Sequence, residues 1–529
     1  MKYHTAATWL FIGFVFLYLF TAKAFMEKGD DVEMIGMAGN FLASGTASLK
    51  TEATSAVNRL AGGQPALDML IVRPYWESRN NLHSFEGTKS LLKVSFLASL
   101  ISAGTLFLFF LLCLNTGISP AGSFLLSAIL GLTSLIWPYS QHLFADSTVG
   151  FLLLGTFLAL VVFRTSGSDA SLVVAGFFWG FAFFTKLVAI IAVPPLLAYL
   201  ALSLKEHNHG RAILSGTNIK RLFLLFLPVV SFLILVGMYN DLRYGNPFEL
   251  GYKDGRDLLF GFNNPVFTGL FGLLFSPGKG FFWYNTPCLL ALWGMSRSLE
   301  RRTAASLVAL AISLSFLLFY SCWYCWHGDW SWGTRFLVPA IPFLLYLAAA
   351  RFDEAALWHP GDRKKTIRQV ILVLMLAIGF SVQLLGVAVD APDYIIPAGQ
   401  APVFKGTWWS GKDWPIQDDL LTLHFIPEFS PLNGHLWMVR CLLNKGTPFG
   451  DQLQANPPWK CLNPLWSPEK IEDTYIRWNI WWLHALNRFP ESRQSILWIA
   501  GSFLIGFLGA MIMGSVLAFG KQAEPTTVE

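Results

Sequence analysis

The sequence predicts an all-α polytopic membrane protein, and three observations carry that prediction. Hydrophobic residues make up 54% of the 529 and charged ones 13%, more apolar surface than one soluble core of that size hides. Apolar runs recur from end to end at close to the roughly 20 residues that a crossing needs. Lys and Arg gather in alternate short loops, the positive-inside pattern of a multi-pass chain.

Twelve stretches qualify as spans: 8–25, 91–114, 120–137, 147–164, 171–185, 187–204, 222–239, 281–296, 303–321, 336–350, 369–388 and 496–516. Lys2, Arg164, Lys205, Arg211, Lys220, Arg221, Arg297, Arg301, Arg302, Arg351, Lys364, Lys365 and Lys521 all fall on one side of this arrangement, which becomes the cytoplasmic side. The net charge of +5 is thereby accounted for by topology and implies no nucleic-acid partner. Residues 1–24 also carry features of a signal peptide, Lys2 before an apolar run that ends in "AKA". The run is long for that role, and cleavage would detach the anchor of the acidic segment that follows, so a retained span is expected.

The opposite, exported side receives 26–90, 389–495 and shorter loops near 138–146, 240–280 and 322–335. This divides the chain into a membrane module (1–388, with the first exported loop at 26–90), a Trp-rich exported cap (389–495), and a last span with its tail (496–529). "GDDVEMIGMAGNFLAS" places Asp30, Asp31 and Glu33 ahead of Met34, Ile35, Met37, Ala38, Phe41 and Leu42 at helical spacing, as in an interfacial amphipathic helix. One acid would cap such a helix. A doublet at the membrane surface suits general-base work. In "WPYSQHLFADSTVG", His142 and Asp146 stand one helical turn apart at the tip of an apolar hairpin.

Cations complete the exported set. Lys186 interrupts the apolar "GFFWGFAFFTKLVAIIAV", where Gly176 and Gly180 have the spacing of closely packed helices. Lys253 and Arg256 precede the turn "SPGKG", in which Lys279 sits among backbone amides free to approach an oxyanion. Arg335 closes "WHGDWSWGTRF" at the edge of lipid, a position that costs several kcal/mol unless an anion or water receives it. His327, Asp329, Trp330 and Trp332 of that segment are expected to bind acceptor or sugar, since indoles stack on the apolar C–H faces of sugars.

In their order along residues 1–390, "GDDVEM", "YSQHLFADS", "GFAFFTK", "GLLFSPGKGFFWYNTP" and "WHGDWSWGTRFLVPAIPFL" resemble the GT-C glycosyltransferases that use polyprenyl-phosphate sugars, of the bacterial protein mannosyltransferase or aminoarabinose transferase type. The resemblance implies a GT-C-like bundle of about 12 helices with exported amphipathic helices. It also implies an inverting transferase of the bacterial inner membrane, its active site on the periplasmic side. Asp30 matches the family's general base; Asp31 and Asp146 stand where Glu is usual or common. Lys186, Lys279, Arg335 and His142 would bind the donor phosphate. No cofactor is required, although the acids have the chemistry to take a divalent cation. The partners would be a polyprenyl-phosphate-sugar donor, a glycan, lipid or protein acceptor, and membrane lipids.

Two other classes share the profile: a ligase or polymerase of lipid-linked glycans, and a polytopic transporter or flippase. The latter is expected to show paired halves and mid-span charges rather than charges clustered in exported loops. The closing exported segment holds nine of the 21 tryptophans, divided between membrane anchoring and sugar stacking. Of six cysteines, Cys441 and Cys461 share that segment, where a disulfide is permitted.

Overall fold

A computed structural model describes residues 2–26, 30–45, 61–81, 83–207, 215–250, 261–328, 330–352, 363–399, 423–458, 460 and 476–520. Lys253, Arg256, Asp329 and Cys461 lie outside the described residues. Among the described residues the fold is all-α, its one β-type pairing being the isolated bridge between Lys23 and Ile480.

Among the described residues, eight helices are long and apolar enough to cross a membrane: Lys2–Phe20 (α1), Phe85–Asn115, Ala145–Ser166, Leu187–His207, Gly216–Tyr244, Thr303–Ser321, Thr366–Ala388 and Pro490–Phe519. They coincide with eight of the twelve expected spans. Three more expectations fall on shorter apolar helices, Pro120–Thr133, Asp169–Thr185 and Arg335–Tyr346. The stretch 281–296 is broken into Phe281–Tyr284, a 3-10 turn Thr286–Leu289 and Leu290–Arg301. Pro287 at that break lacks the N–H that a continuous helix needs and restricts the residue before it. A short apolar helix, Val266–Phe275, stands where only a loop was expected.

Close packing follows the glycines. Gly13 of α1 faces Ala510 of the closing helix, where a Cβ would come within 3.3 Å of Ala510 Cβ. Phe14 and Tyr18 of α1 are fully buried, which makes this segment part of the core. A Cβ on Gly176 would lie 2.1 Å from the Leu225 carbonyl oxygen, and one on Gly180 3.0 Å from Val229 Cα. The small-residue spacing read from the sequence thus seats Asp169–Thr185 on Gly216–Tyr244.

The segment after α1, expected to be the first exported loop, folds back over the bundle as Asp30–Ser44 (α2), Gly63–Asp68 (α3) and Val72–Asn80 (α4). As expected, α2 opens with Asp30, Asp31 and Glu33 and buries Met34, Ile35, Met37 and Ala38. Phe85–Asn115 (α5) then starts at Ser84, whose hydroxyl accepts from the Gly87 amide at 3.3 Å.

The bundle has two chemically different ends. At one, Arg164 pairs with Glu206 at 2.7 Å, Lys220 with Asp169 at 3.1 Å, and Arg302 binds the Thr116 carbonyl at 2.7 Å. Lys2 binds the Gly520 carbonyl there, so the first and closing helices end together. The other end carries the acids and cations described next.

Candidate functional site

Three carboxylates and three basic side chains, drawn from four separate stretches of sequence, form one network at the start of α2. Arg335 opens the 3-10 turn Arg335–Ala340; its Nε donates to Asp146 Oδ2 at 3.0 Å and its Nη2 to Asp30 Oδ2. Lys186, at the extended residue between Thr185 and Leu187, donates from Nζ to Asp146 Oδ1 at 2.6 Å. One fully buried carboxylate therefore holds two cations in register. The Arg335 guanidinium lies 4.0 Å above the Phe144 ring, and Lys186 Nζ 4.9 Å from that of Phe336, so aromatic faces line the cationic edge.

Asp31 takes a different partner. Successive side chains on a helix diverge by about 100°, and while Asp30 meets Arg335, Asp31 turns inward to accept from His142 Nδ1 at 2.9 Å. The sequence spacing places His142 and Asp146 one helical turn apart. The structure differs: His142 precedes the helix Ala145–Ser166, stacks on Phe144 at 4.8 Å, and serves Asp31 while Asp146 serves the two cations. The second ring nitrogen of His142 lies 4.0 Å from Asp390.

Asp390 belongs to a group that sequence reasoning missed. Lys23, buried just beyond α1, pairs with Asp390 at 3.2 Å, and Arg477 pairs with Asp393 at 3.1 Å. Burial works to raise the Asp390 carboxyl, but Lys23 and then His142 outweigh it and hold the group below the usual carboxylate range. Asp393 lacks that surplus of cations; burial and the neighbouring Asp390 push it up to about 7 despite Arg477. Lys23 and His142, before residue 388, thus meet Asp390 beyond it. Asp68 was missed too. It is fully buried at the end of α3, joined through Gln64 (2.8 Å) to Thr148, and burial raises its carboxyl well above the usual range. Nothing in its local pattern distinguishes it from a helix-end polar residue.

Other expected residues lie elsewhere. Lys279 is wholly buried and donates to the Ser331 carbonyl, with the Ser331 hydroxyl 3.2 Å away. The amides of its turn are already occupied: Gly278 donates to the His424 carbonyl and Gly280 to that of Ser276. Lys279 thus anchors the loop that ends in Arg335. Trp332 packs inside, stacked on His435 at 4.0 Å and against Tyr284 at 4.9 Å, and offers no face to a sugar. His327 is buried with its ring 4.9 Å from that of His424. Trp330 alone of the described residues in that expected set is exposed. Among the described residues, no group of three or more His, Cys, Asp or Glu is arranged to hold a metal ion.

No family model matches the chain, and no curated protein matches it. Among solved structures it is similar to ArnT from Cupriavidus metallidurans in the apo state, with a TM-score of 0.44 and 13% identity over 98% of this chain and 76% of that one. It is likewise similar to ArnT from Cupriavidus metallidurans bound to undecaprenyl phosphate, with a TM-score of 0.45 and 14% identity over 98% of this chain and 77% of that one.

Proposed function

We propose that the protein is an inverting glycosyltransferase of the GT-C type that moves a sugar from a polyprenyl-phosphate donor to a glycan, lipid or protein acceptor. The observation that carries this reading is the convergence of Lys186 and Arg335 on Asp146 beside the acids of α2. Transfer from a lipid phosphate needs a base for the acceptor hydroxyl and cations for the phosphate, which gains charge as the anomeric bond breaks. Both sit within one network at one end of the bundle. Clustering at an end, rather than mid-span, also favours transfer over transport.

Accessibility divides the labour among the acids. The Asp30 side chain is 35% exposed, those of Asp31 and Asp146 2% and 1%. Asp30 is therefore the acid that an acceptor hydroxyl can reach, and it takes the proton as the oxygen attacks the anomeric carbon opposite the phosphate. Asp146 keeps hold of Nε while the outer nitrogens of Arg335, a planar fork matched to phosphate oxygens, turn to the leaving group. Lys186 adds a second charge. Asp31 fixes α2 through His142. The basic loops at the far end support placing this face on the periplasmic side of a bacterial inner membrane.

The test is reconstitution of the purified protein with radiolabelled polyprenyl-phosphate sugars and candidate acceptors. The expected result is labelled acceptor together with released polyprenyl phosphate. Movement of intact donor across the bilayer without cleavage, or turnover of diphosphate-linked glycans alone, overturns the proposal.

A further inference from the structure

A second concentration of positive charge lies on the same end of the bundle, outside the network of Asp30 and Arg335. The segment "WESRNNLHSF" contributes Arg79 and His83, and "YIRWNIWWLHALNRF" contributes Arg477, His484 and Arg488. Some 400 residues separate them in sequence, yet they line one cavity of about 150 Å³. Among the described residues no carboxylate lines it: Asp393, the partner of Arg477, stands outside the lining.

Each cation is aimed by its own support. The helix Trp481–Arg488 buries Trp481 and Ala485, with the Trp481 indole donating to the Leu19 carbonyl at 2.9 Å, so His484 and Arg488, four residues apart, share another face. Arg488 Nη2 donates to His83 Nδ1 at 2.8 Å, Arg79 Nη1 donates to the Tyr75 hydroxyl at 3.0 Å, and the Arg477 guanidinium covers the Phe25 ring at 3.3 Å. The partners of Arg79 and Arg488 are neutral and orient these guanidinium groups without discharging them, whereas Arg477 also pairs with Asp393.

Arg79 and Arg488, two guanidinium groups on neutral partners at one small cavity, repel each other unless an anion is supplied, and a phosphate offers the bidentate geometry that guanidinium groups match. The surroundings indicate what carries it. The lining includes residues just beyond α1, Leu91 near the start of α5 and Phe489 just before the closing helix, so the cavity opens where three candidate spans reach the membrane surface. Trp498, on the closing helix that follows the lining residue Phe489, is 70% exposed.

We propose that this pocket binds the phosphate group of a second ligand, carried by an amphiphile whose chains lie along the closing helix. Arg79 and Arg488 grip the phosphate, Arg477 closes its inner side, and His83 and His484 complete the rim. The inference does not depend on glycosyl transfer, because binding is read without turnover.

The test is binding to the purified full-length protein in detergent, using dioleoyl phosphatidic acid, dioleoylglycerol and inorganic phosphate as probes, with retained ligand quantified by native mass spectrometry. Phosphatidic acid is expected to be retained, dioleoylglycerol not, and Arg488→Gln or Arg79→Gln to weaken retention roughly tenfold, as loss of one charge-assisted hydrogen-bonded contact does. Arg335→Ala should leave it unchanged, which separates this pocket from the transferase site. Inorganic phosphate displacing phosphatidic acid at equal affinity would keep the phosphate site and assign it to a soluble source. Equal retention of phosphatidic acid by wild type, Arg79→Gln and Arg488→Gln, each monodisperse, overturns the proposal.

Discussion

Arg335 and Asp30 lie 305 residues apart in sequence and meet through a guanidinium–carboxylate hydrogen bond, while Nε of the same arginine binds Asp146 at 3.0 Å. One planar side chain thus ties the start of α2 to the start of the helix Ala145–Ser166. A lysine keeps the charge but cannot bridge two carboxylates with fixed geometry. Arg335→Lys is expected to lower kcat/KM roughly 10- to 100-fold, and Arg335→Ala further, because the alanine also leaves Asp146 with Lys186 alone. Steady-state kinetics on the reconstituted protein check this. Near-wild-type turnover for both variants would make Arg335 a structural pin.

The acids of α2 separate by exposure. Asp30→Asn is nearly isosteric and still accepts from Arg335, so it tests basicity more than folding. It should bind donor normally and transfer sugar at least roughly a hundredfold more slowly, the low end for loss of a general base. Asp31→Asn should act on stability instead, because Asp31 is buried against His142. Donor binding, turnover and thermal unfolding measured side by side decide it; a fast Asp30→Asn enzyme beside a dead Asp31→Asn would exchange the two roles.

Much of the fold was legible because lipid leaves a strong mark on sequence. The eight long helices, the acid-led α2 and the glycine face of Asp169–Thr185 all follow from patterns confined to one segment. Two of the spans that fell short, 281–296 and 336–350, carry internal prolines, whose local cost the average apolarity of a window does not register. At the site, the carboxylates of α2, Asp146, Lys186 and Arg335 were visible as charges in apolar surroundings. Which charge meets which was not, since His142 reaches Asp31 across 111 residues. Lys23, Asp68, Asp390 and Asp393 stand beside turns and helix ends, where a charged residue is ordinary, and only the tertiary fold buries them.

Lys279 offers a direct test of the distinction between binding and building. Its ammonium is buried on the Ser331 carbonyl, four residues before Arg335. Lys279→Met removes the donor and strands that carbonyl, a cost of about 1–3 kcal/mol for a buried group left unsatisfied. The unfolding temperature should therefore drop, and kcat should fall through misplacement of Arg335, with little change in KM for donor. A raised KM at unchanged stability would restore Lys279 to the phosphate.

Topology makes a prediction of its own. Glu86, exposed near the start of α5, lies at the end that carries Arg335, whereas Glu300, exposed near Arg301 and Arg302, lies at the basic end. In a cysteine-free background, Glu86→Cys should react with an impermeant maleimide in intact cells and Glu300→Cys only after lysis. The reverse pattern would place the acid network in the cytoplasm.

The pair Asp390 and Asp393 gives stability a readable pH dependence. Asp393 has its folded pKa raised to about 7 by burial first and Asp390 second, against the ordinary 3.8. Between about pH 4 and about pH 7 the folded chain holds a proton there that the unfolded chain has lost, so stability falls as pH rises through this window. Asp390 works in the opposite sense. Its folded pKa is depressed by Lys23 and His142 over the effect of burial, so its contribution is present above about pH 4 and is lost on further acidification. Asp393→Asn removes the first effect and leaves the second. Thermal unfolding from about pH 4.5 to about pH 8 should show the wild type losing stability toward neutrality and Asp393→Asn losing markedly less, with the two converging at the acid end. Parallel profiles across the whole range would mean that Asp393 ionises in the folded chain as it does in the unfolded one, its pairing with Arg477 at 3.1 Å outweighing burial.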